Sequence, residues 1–285
     1  MYKSLLQRKV SKLTRYPIFR EAVISWRHIN DHMKSAKDEK LNKDESDLYA
    51  RVQEHGYAVV ENFFSEEVCK RLIADARAAE ERYTDFVQRY SNGADKRVFG
   101  IDSLGGLFSD FSDNALGRKI ATLAFGEPTT CIFTLLGHLS YTQENIGSGE
   151  GWHRDSFNRQ LKAIVYLSDV GEKSGPFQYI EKSHQWKWMI RDHFFSGIGG
   201  SENRVSEGKI EKMIRKFPER LKTFTARAGT LILANTSGIH RGKPILQGER
   251  WALTNYYYPT TEVTENLIRH FAPVLRPENV ERAPN

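Results

Sequence analysis

The spacing of apolar residues changes character twice along this chain. Over residues 1–40, Leu5, Leu6, Val10 and Leu13 recur at helical intervals with Arg8, Lys9 and Lys12 between them. Pro17 interrupts, and Phe19, Val23, Trp26 and Ile29 then form a second stripe. This pattern predicts a helical arm. Residues 34–47, KSAKDEKLNKDESD, read as a charged linker that closes the arm at residue 47. From residue 48 a second, larger unit begins and runs to residue 285. In it, β-prone Tyr57–Val60 precedes Ser65, a good helix N-cap followed by Glu66 and Glu67 in the dipole-favoured first turn. Val68, Leu72, Ile73, Ala76 and Ala79 make the expected buried stripe of that helix. A loop-rich stretch and a short helix near 115–125 follow.

From about residue 131 the helical period gives way to short β-branched or aromatic runs punctuated by Gly, Pro, Asn and Ser. They are CIFTLLGHLSYT, LKAIVYLSDV, GPFQYI, LKTFTA, TLILANT and ERWALTNYYYP. Such a series predicts a mainly β domain with flanking helices, built as a sandwich or barrel. A longer stretch at about 184–222, rich in Trp, Phe, Gly and Lys, breaks the strand pattern and is expected to be a lid-like insertion.

Charge sharpens this division. The net charge of +6 comes from 42 basic and 36 acidic residues. Ten of the basic and four of the acidic residues lie within residues 1–40, which leaves 32 of each sign beyond them. The basic excess therefore belongs to the arm. A neutral main domain argues against a nucleic-acid groove. The arm itself suits an anionic surface: a headgroup layer, a glycolipid or an acidic protein. No apolar run approaches the roughly 18 residues that span a bilayer, and the N-terminus lacks the apolar core of a signal peptide. Cys69 and Cys131 fit no paired motif and are expected as reduced thiols. A cytoplasmic protein is expected, with peripheral membrane attachment left open.

Candidate chemistry begins at EGWHRDS, residues 150–156. On an extended backbone residues i and i+2 face the same side, so His153 and Asp155 can converge on one point. Alone, H-x-D is weak evidence, since a hydrogen-bonded His–Asp pair in a loop explains it equally. His240, after the predicted strand TLILANT, is the best candidate for a third ligand. Two histidines and one carboxylate leave open positions on a metal, an arrangement suited to non-haem Fe(II). Arg250 shares one strand face with Ala252, Thr254 and Tyr256. If that face lines the interior, the buried guanidinium needs an anion, and a dicarboxylate would supply one. Lys162 alternates with Ile164 and Tyr166, and is either an inward cation or an exposed edge residue. Arg241 reads as a rim residue or a salt-bridge partner, and Arg154 as a surface residue or a support behind the ligands. Trp152 and His184 read as structural residues. The Trp186, Trp188, His193, Phe194 and Phe195 cluster either caps the substrate or packs the insertion.

In their order, GWHRDS, LKAIVYLSDV, KSGPFQYIEKSH, GTLILANTSGIHRGKP and ERWALTNYY resemble the phytanoyl-CoA dioxygenase-like family of Fe(II)/2-oxoglutarate oxygenases. The resemblance spans roughly residues 48–260 and is strongest over 131–259. It implies a double-stranded β-helix, or jelly-roll, core. It further implies that His153, Asp155 and His240 are the catalytic metal ligands and that Arg250 anchors the distal carboxylate of 2-oxoglutarate. With O2 as co-reactant, the implied reaction hydroxylates an unactivated C–H of a small molecule, lipid or saccharide, free or carrier-linked. Succinate and CO2 are the implied co-products. Asp155 stands where halogenating relatives have a small residue, which favours hydroxylation. Two positions depart from the family pattern. Gly242 replaces a serine that helps hold 2-oxoglutarate in some relatives, a role Thr254 could take. Glu181–Lys182 replaces a Pro-Gly, a change expected to alter a turn. Lys162 and Arg241 are the candidate substrate contacts. Two other classes stay open: a cupin-like metal enzyme without 2-oxoglutarate, which would not need Arg250, and a catalytically silent jelly-roll binding protein.

Overall fold

The computed structural model describes residues 40–156, 159–199 and 202–282. The arm expected over residues 1–39 lies outside the described residues. Residues 43–47, read above as linker, instead open helix α1 (Lys43–His55). The sequence explains this. Asn42 and Glu45 form a reciprocal capping box, each side chain accepting the other's backbone N–H at 2.9 Å.

Two antiparallel sheets follow from the alternating runs. The larger takes the order β1 (Tyr57–Val60), β8 (Leu231–Asn235), β5 (Leu161–Tyr166), β10 (Glu249–Pro259), β4 (Thr129–Ser140), β3 (Asp95–Phe99), β2 (Gln88–Tyr90). The smaller is β7 (Leu221–Phe224), β6 (Phe177–Ile180), β9 (His240–Gly242). With flanking helices this is the jelly-roll class expected from the sequence. Strands β2 and β3 were not expected, because the charges of GADKRVF mask their alternation.

Period-two patterning sorts the side chains. On β5, Leu161, Ala163 and Val165 face outward into one core with Leu231, Leu233 and Leu253. That core is roofed by α2 (Glu66–Arg82), α3 (Gly106–Ser112) and α4 (Ala115–Phe125) through Cys69, Leu72, Ala76, Phe108, Phe111 and Ile120. Ser65 caps α2 by accepting from Val68 N–H. The opposite faces of the same strands turn toward the small sheet. There Tyr166, Phe177, Tyr179, Phe224, Ile232, Ala234 and Ala252 fill part of the interior with apolar surface. The rest of the interior is polar, and holds the site described below. Both cysteines are free thiols.

Residues 184–222 form α5 (Trp186–Ser196) and α6 (Glu207–Lys216) before joining β7. Asp192 of α5 is tied to Arg220 by two hydrogen bonds of 2.5 and 3.0 Å, with both side chains buried. The returning loop pairs with the ligand segment: Arg154 N–H donates to Asn203 O and Val205 N–H to Trp152 O. Among the described residues no helix is long and apolar enough to cross a membrane.

Candidate metal centre and its cavity

His153 and His240 are far apart in the chain but meet through an antiparallel bridge. Each backbone N–H donates to the other's carbonyl at 2.9 Å. The same bridge sets the rings 4.3 Å apart, centroid to centroid. Asp155, two residues on, returns to the same side as the H-x-D spacing requires. Its Oδ1 lies 3.7 Å from His153 Nε2 and its Oδ2 3.5 Å from His240 Nε2. Ligand-capable atoms of all three lie within 4.8 Å of one another.

The donor set fits a divalent transition metal. Each histidine turns Nδ1 toward a carbonyl, His153 to Gly151 O at 2.8 Å and His240 to Gly238 O at 2.9 Å. A carbonyl only accepts, so Nδ1 carries the proton and Nε2 presents its lone pair to the shared point. Burial, reinforced by neighbouring His153, holds the His240 imidazolium pKa down to about 3, which keeps the ring neutral. Burial alone would push the Asp155 carboxyl up, but Lys162 and His240 prevail and hold it well below the usual carboxylate range. Two imidazole Nε2 atoms and one carboxylate therefore face one point together.

Two glycines let the backbone crowd this point. A Cβ on Gly149, which sits at φ +80°, would fall 2.2 Å from the His153 ring. A Cβ on Gly242 would fall 2.6 Å from Ser148 Cβ. Gly242 thus admits Ser148, and both line the same cavity as the ligands. The hydroxyl absent at position 242 is present on Ser148.

Arg154 is no surface residue. Between two ligands that face the cavity, it faces the other way and is 4% exposed. Its guanidinium donates to Ser183 O and Ser237 O. Ser183 in turn accepts from Ile239 N–H, the residue before ligand His240. One side chain therefore ties the two ligand segments together from behind. Arg154→Met is expected to weaken Mn(II) or Co(II) binding about tenfold, because orienting shells of this kind typically contribute that much. Metal titration of the purified variant measures it. An unchanged affinity would mean that the two segments hold themselves in register.

An inner cavity of about 120 Å³ adjoins the three ligands. Arg250, Ala252, Thr254 and Tyr256 line it together, as do Lys162, Ile164 and Tyr166. Arg250 is 7% exposed, donates to Gly175 O, and has a buried Nε with no hydrogen-bond partner. Lys162 is the inward cation, with Nζ 2.8 Å from Asp155 Oδ2 and 4.0 Å from the centre of the Tyr256 ring. A wider cavity of about 410 Å³ shares His153, Asp155, Lys162 and Arg97 with the first and opens past Asn203 and Arg204.

Several expected candidates lie elsewhere. Arg241 lines neither of these cavities. It is bound to Glu207 at 2.8 Å and to Gln178 at 2.8 Å, over the Trp152 ring. Trp152, 2% exposed, packs in an apolar cluster. His184 Nε2 bonds Gln53 O at 3.0 Å, a structural role. Trp188, Phe195 and Phe217 stack with one another and with Arg191, and none of them lines either cavity. Lys182 occupies the left-handed region at φ +64°, a conformation that favours glycine, so the turn persists despite the Pro-Gly replacement. Asp95 and Arg97 were missed. They share the inner face of β3, and Arg97 donates to Asp95 through Nε at 3.0 Å and Nη2 at 2.6 Å. Their i, i+2 spacing was the available signal.

A profile of the phytanoyl-CoA dioxygenase family matches residues 52–248. No curated protein matches the chain. Among solved structures, EctD from S. alaskensis with bound Fe superimposes with a TM-score of 0.61 at 16% identity, over 82% of this chain and 85% of that one. The epimerase SnoN, in complex with Fe3+, alpha ketoglutarate and nogalamycin RO, gives 0.56 at 17% identity, over 77% and 88%. HygX from Streptomyces hygroscopicus, with nickel, 2-oxoglutarate and hygromycin B bound, gives 0.52 at 14% identity, over 77% and 88%. At these identities the likeness is one of fold.

Proposed function

This chain belongs to the phytanoyl-CoA dioxygenase family, and we propose that it is an Fe(II)- and 2-oxoglutarate-dependent oxygenase that hydroxylates an unactivated C–H bond of a small molecule. One observation carries the reading: the His153–Asp155–His240 set shares a single cavity with a buried arginine whose Nε has no hydrogen-bond partner among the described residues. A metal enzyme without a dicarboxylate would have no use for that guanidinium. The solved relatives bound to alpha ketoglutarate or 2-oxoglutarate support the choice of cosubstrate.

Bound iron, 2-oxoglutarate and O2 would supply the oxidising chemistry, with succinate and CO2 as co-products. The protein's own residues bind, orient and exclude water. His153 and His240 would present Nε2 and Asp155 a carboxylate oxygen to the metal. Arg250 would take the distal carboxylate of the cosubstrate, and Ser148 and Thr254 supply hydroxyls on the same wall. Leu135, Ile164 and Phe177 keep that wall dry. Asn203 and Arg204, on the loop between α5 and α6, line the outer cavity, which supports a lid role for the insertion. Free thiols at Cys69 and Cys131 suit a cytoplasmic setting.

The test is succinate formation by the full chain with Fe(II), ascorbate and 2-oxoglutarate, before any substrate is known. Slow, iron-dependent succinate release is expected. No release, together with no protection of Fe(II) by 2-oxoglutarate, would leave the metal enzyme without this cosubstrate.

A further inference from the structure

The charges around the cavity do not close once the metal and cosubstrate are counted. The inner cavity is lined, among the described residues, by three permanent cations, Arg97, Lys162 and Arg250, and by two carboxylates, Asp95 and Asp155. Asp95 is committed to Arg97. Arg250 would be matched by the distal carboxylate of 2-oxoglutarate. Asp155 and the other carboxylate would together balance a divalent metal. Lys162 is then left over. Among the described residues its one carboxylate partner is Asp155, at 2.8 Å, and its side chain is 9% exposed. A buried ammonium that loses its counter-charge to a metal is costly unless another anion arrives.

The outer cavity, where a substrate would approach, adds to the same sign. Asp155 is the one acidic residue among its described lining, while Lys162, Arg97 and Arg204 all face it. Arg154 also borders it, with its guanidinium turned to the Ser183 and Ser237 carbonyls. Arg204 stands at the mouth, half-exposed; its Nη1 donates to Gly149 O and Glu150 O, and its Nη2 lies 4.0 Å from the Glu150 carboxylate. Gln160, 5% exposed, lines the cavity next to Tyr258, with which its side-chain amide interacts. The same cavity carries an aromatic wall, Phe99, Tyr256 and Phe271 packed ring against ring, with Lys162 Nζ over the Tyr256 ring at 4.0 Å.

We propose that the substrate is an acid, a carboxylate or phosphate on an apolar or aromatic body, held with its anionic group toward Lys162, Gln160 and Arg204 and its body on the Phe99–Tyr256–Phe271 wall. The proposal rests on the 2-oxoglutarate reading, since it is the metal and cosubstrate that free Lys162 from Asp155. It also gives the cavity a basis for rejecting amines, because the like charges of Lys162 and Arg204 would repel them.

The probes are four molecules sharing one ring: phenylphosphonate, benzoate, benzamide and benzylamine. Their binding to the full chain, loaded anaerobically with Fe(II) and 2-oxoglutarate, is followed by calorimetry. The visible charge-transfer absorption of the loaded site is read in the same samples. Both anions, or the better-fitting of the two, should bind about tenfold or more tighter than benzamide, consistent with one charge-assisted contact. The ranking of phosphonate against benzoate separates the two kinds of acid. Benzylamine should bind weakest. Arg204→Glu and Lys162→Met should each erase most of the anion preference. Arg204→Glu is the safer variant, because its side chain is half-exposed. Equal binding of benzamide, a preference for benzylamine, or an anion preference that survives both substitutions would overturn the proposal. If the absorption itself never forms, the functional reading falls first, and this inference falls with it.

Discussion

Asp155→Ala should abolish stoichiometric iron binding and, separately, destabilise the metal-free protein. The first effect follows from the ligand count. Without the carboxylate, two imidazoles remain and no negative charge faces the metal. A loss of at least about a hundredfold in affinity is expected, exceeding what orienting residues contribute. The second effect comes from Lys162. In the metal-free protein its ammonium lies 2.8 Å from Asp155 Oδ2, with the two side chains 9% and 21% exposed. Removing one member of such a pair strands the other in low dielectric, at a cost of about 3 kcal/mol. The cavity admits some solvent to Asp155, which places the cost at the low end of the range for buried pairs. A double variant separates the effects. Asp155→Ala with Lys162→Met should recover most of the lost stability, because no unpaired charge remains, yet bind no iron. Urea denaturation of the four proteins of this cycle, with metal titration of each, checks both claims. Strict additivity of the two stability changes would show that the ion pair carries no coupling.

Arg250→Met should raise the KM for 2-oxoglutarate about a hundredfold while leaving metal affinity nearly unchanged. Arg250 does not touch the ligands. It sits on β10 across from Leu139 of β4, in the same cross-strand row as Asp95. Its Nε has no protein partner, and Gly175 O takes one Nη. An anion is therefore the missing part of its environment, and a buried charge-assisted contact of this kind is worth about 2–5 kcal/mol when one side is truncated. Burial pulls the Arg250 pKa down and outweighs Tyr166 and Asp95, which act to raise it, so a further anion against the guanidinium would be favoured. Methionine keeps much of the side-chain length while removing charge and donors. Uncoupled succinate release measured against 2-oxoglutarate concentration supplies KM. An unchanged KM would remove Arg250 from the cosubstrate's contacts and return the metal-only enzyme to consideration.

What could be read from the chain followed the range of the forces involved. Strands β4, β5, β6, β7, β8 and β10, helix α4 and the Ser65 cap were legible because alternation, turn residues and capping are local. So was the shared side of His153 and Asp155, a consequence of the two-residue period of an extended backbone. That Arg250, Ala252, Thr254 and Tyr256 share one face was legible for the same reason, whereas its turning inward came from the structure. Strand β3 was not. A strand that buries Asp95 and Arg97 against each other looks polar in sequence, and only the partner carboxylate makes it tolerable inside. Lys162 stayed ambiguous between edge and interior until β8 and β10 were seen on either side of β5. Arg154 could be assigned a direction from its neighbours but no destination, since the Ser183 and Ser237 carbonyls that receive it lie 29 and 83 residues away.

The sequence by itself thus determined the class of fold, the types of candidate ligand and the shared side of His153 and Asp155, because each depends on residues a few positions apart. Tertiary structure alone decided that His240 comes within reach of His153 and Asp155, that Lys162 pairs with Asp155, and that Arg241 is spent on Glu207. Those outcomes depend on which strands pair and in what register. Pairing energy is summed over whole sheets and apolar cores, and no short stretch of the chain carries it.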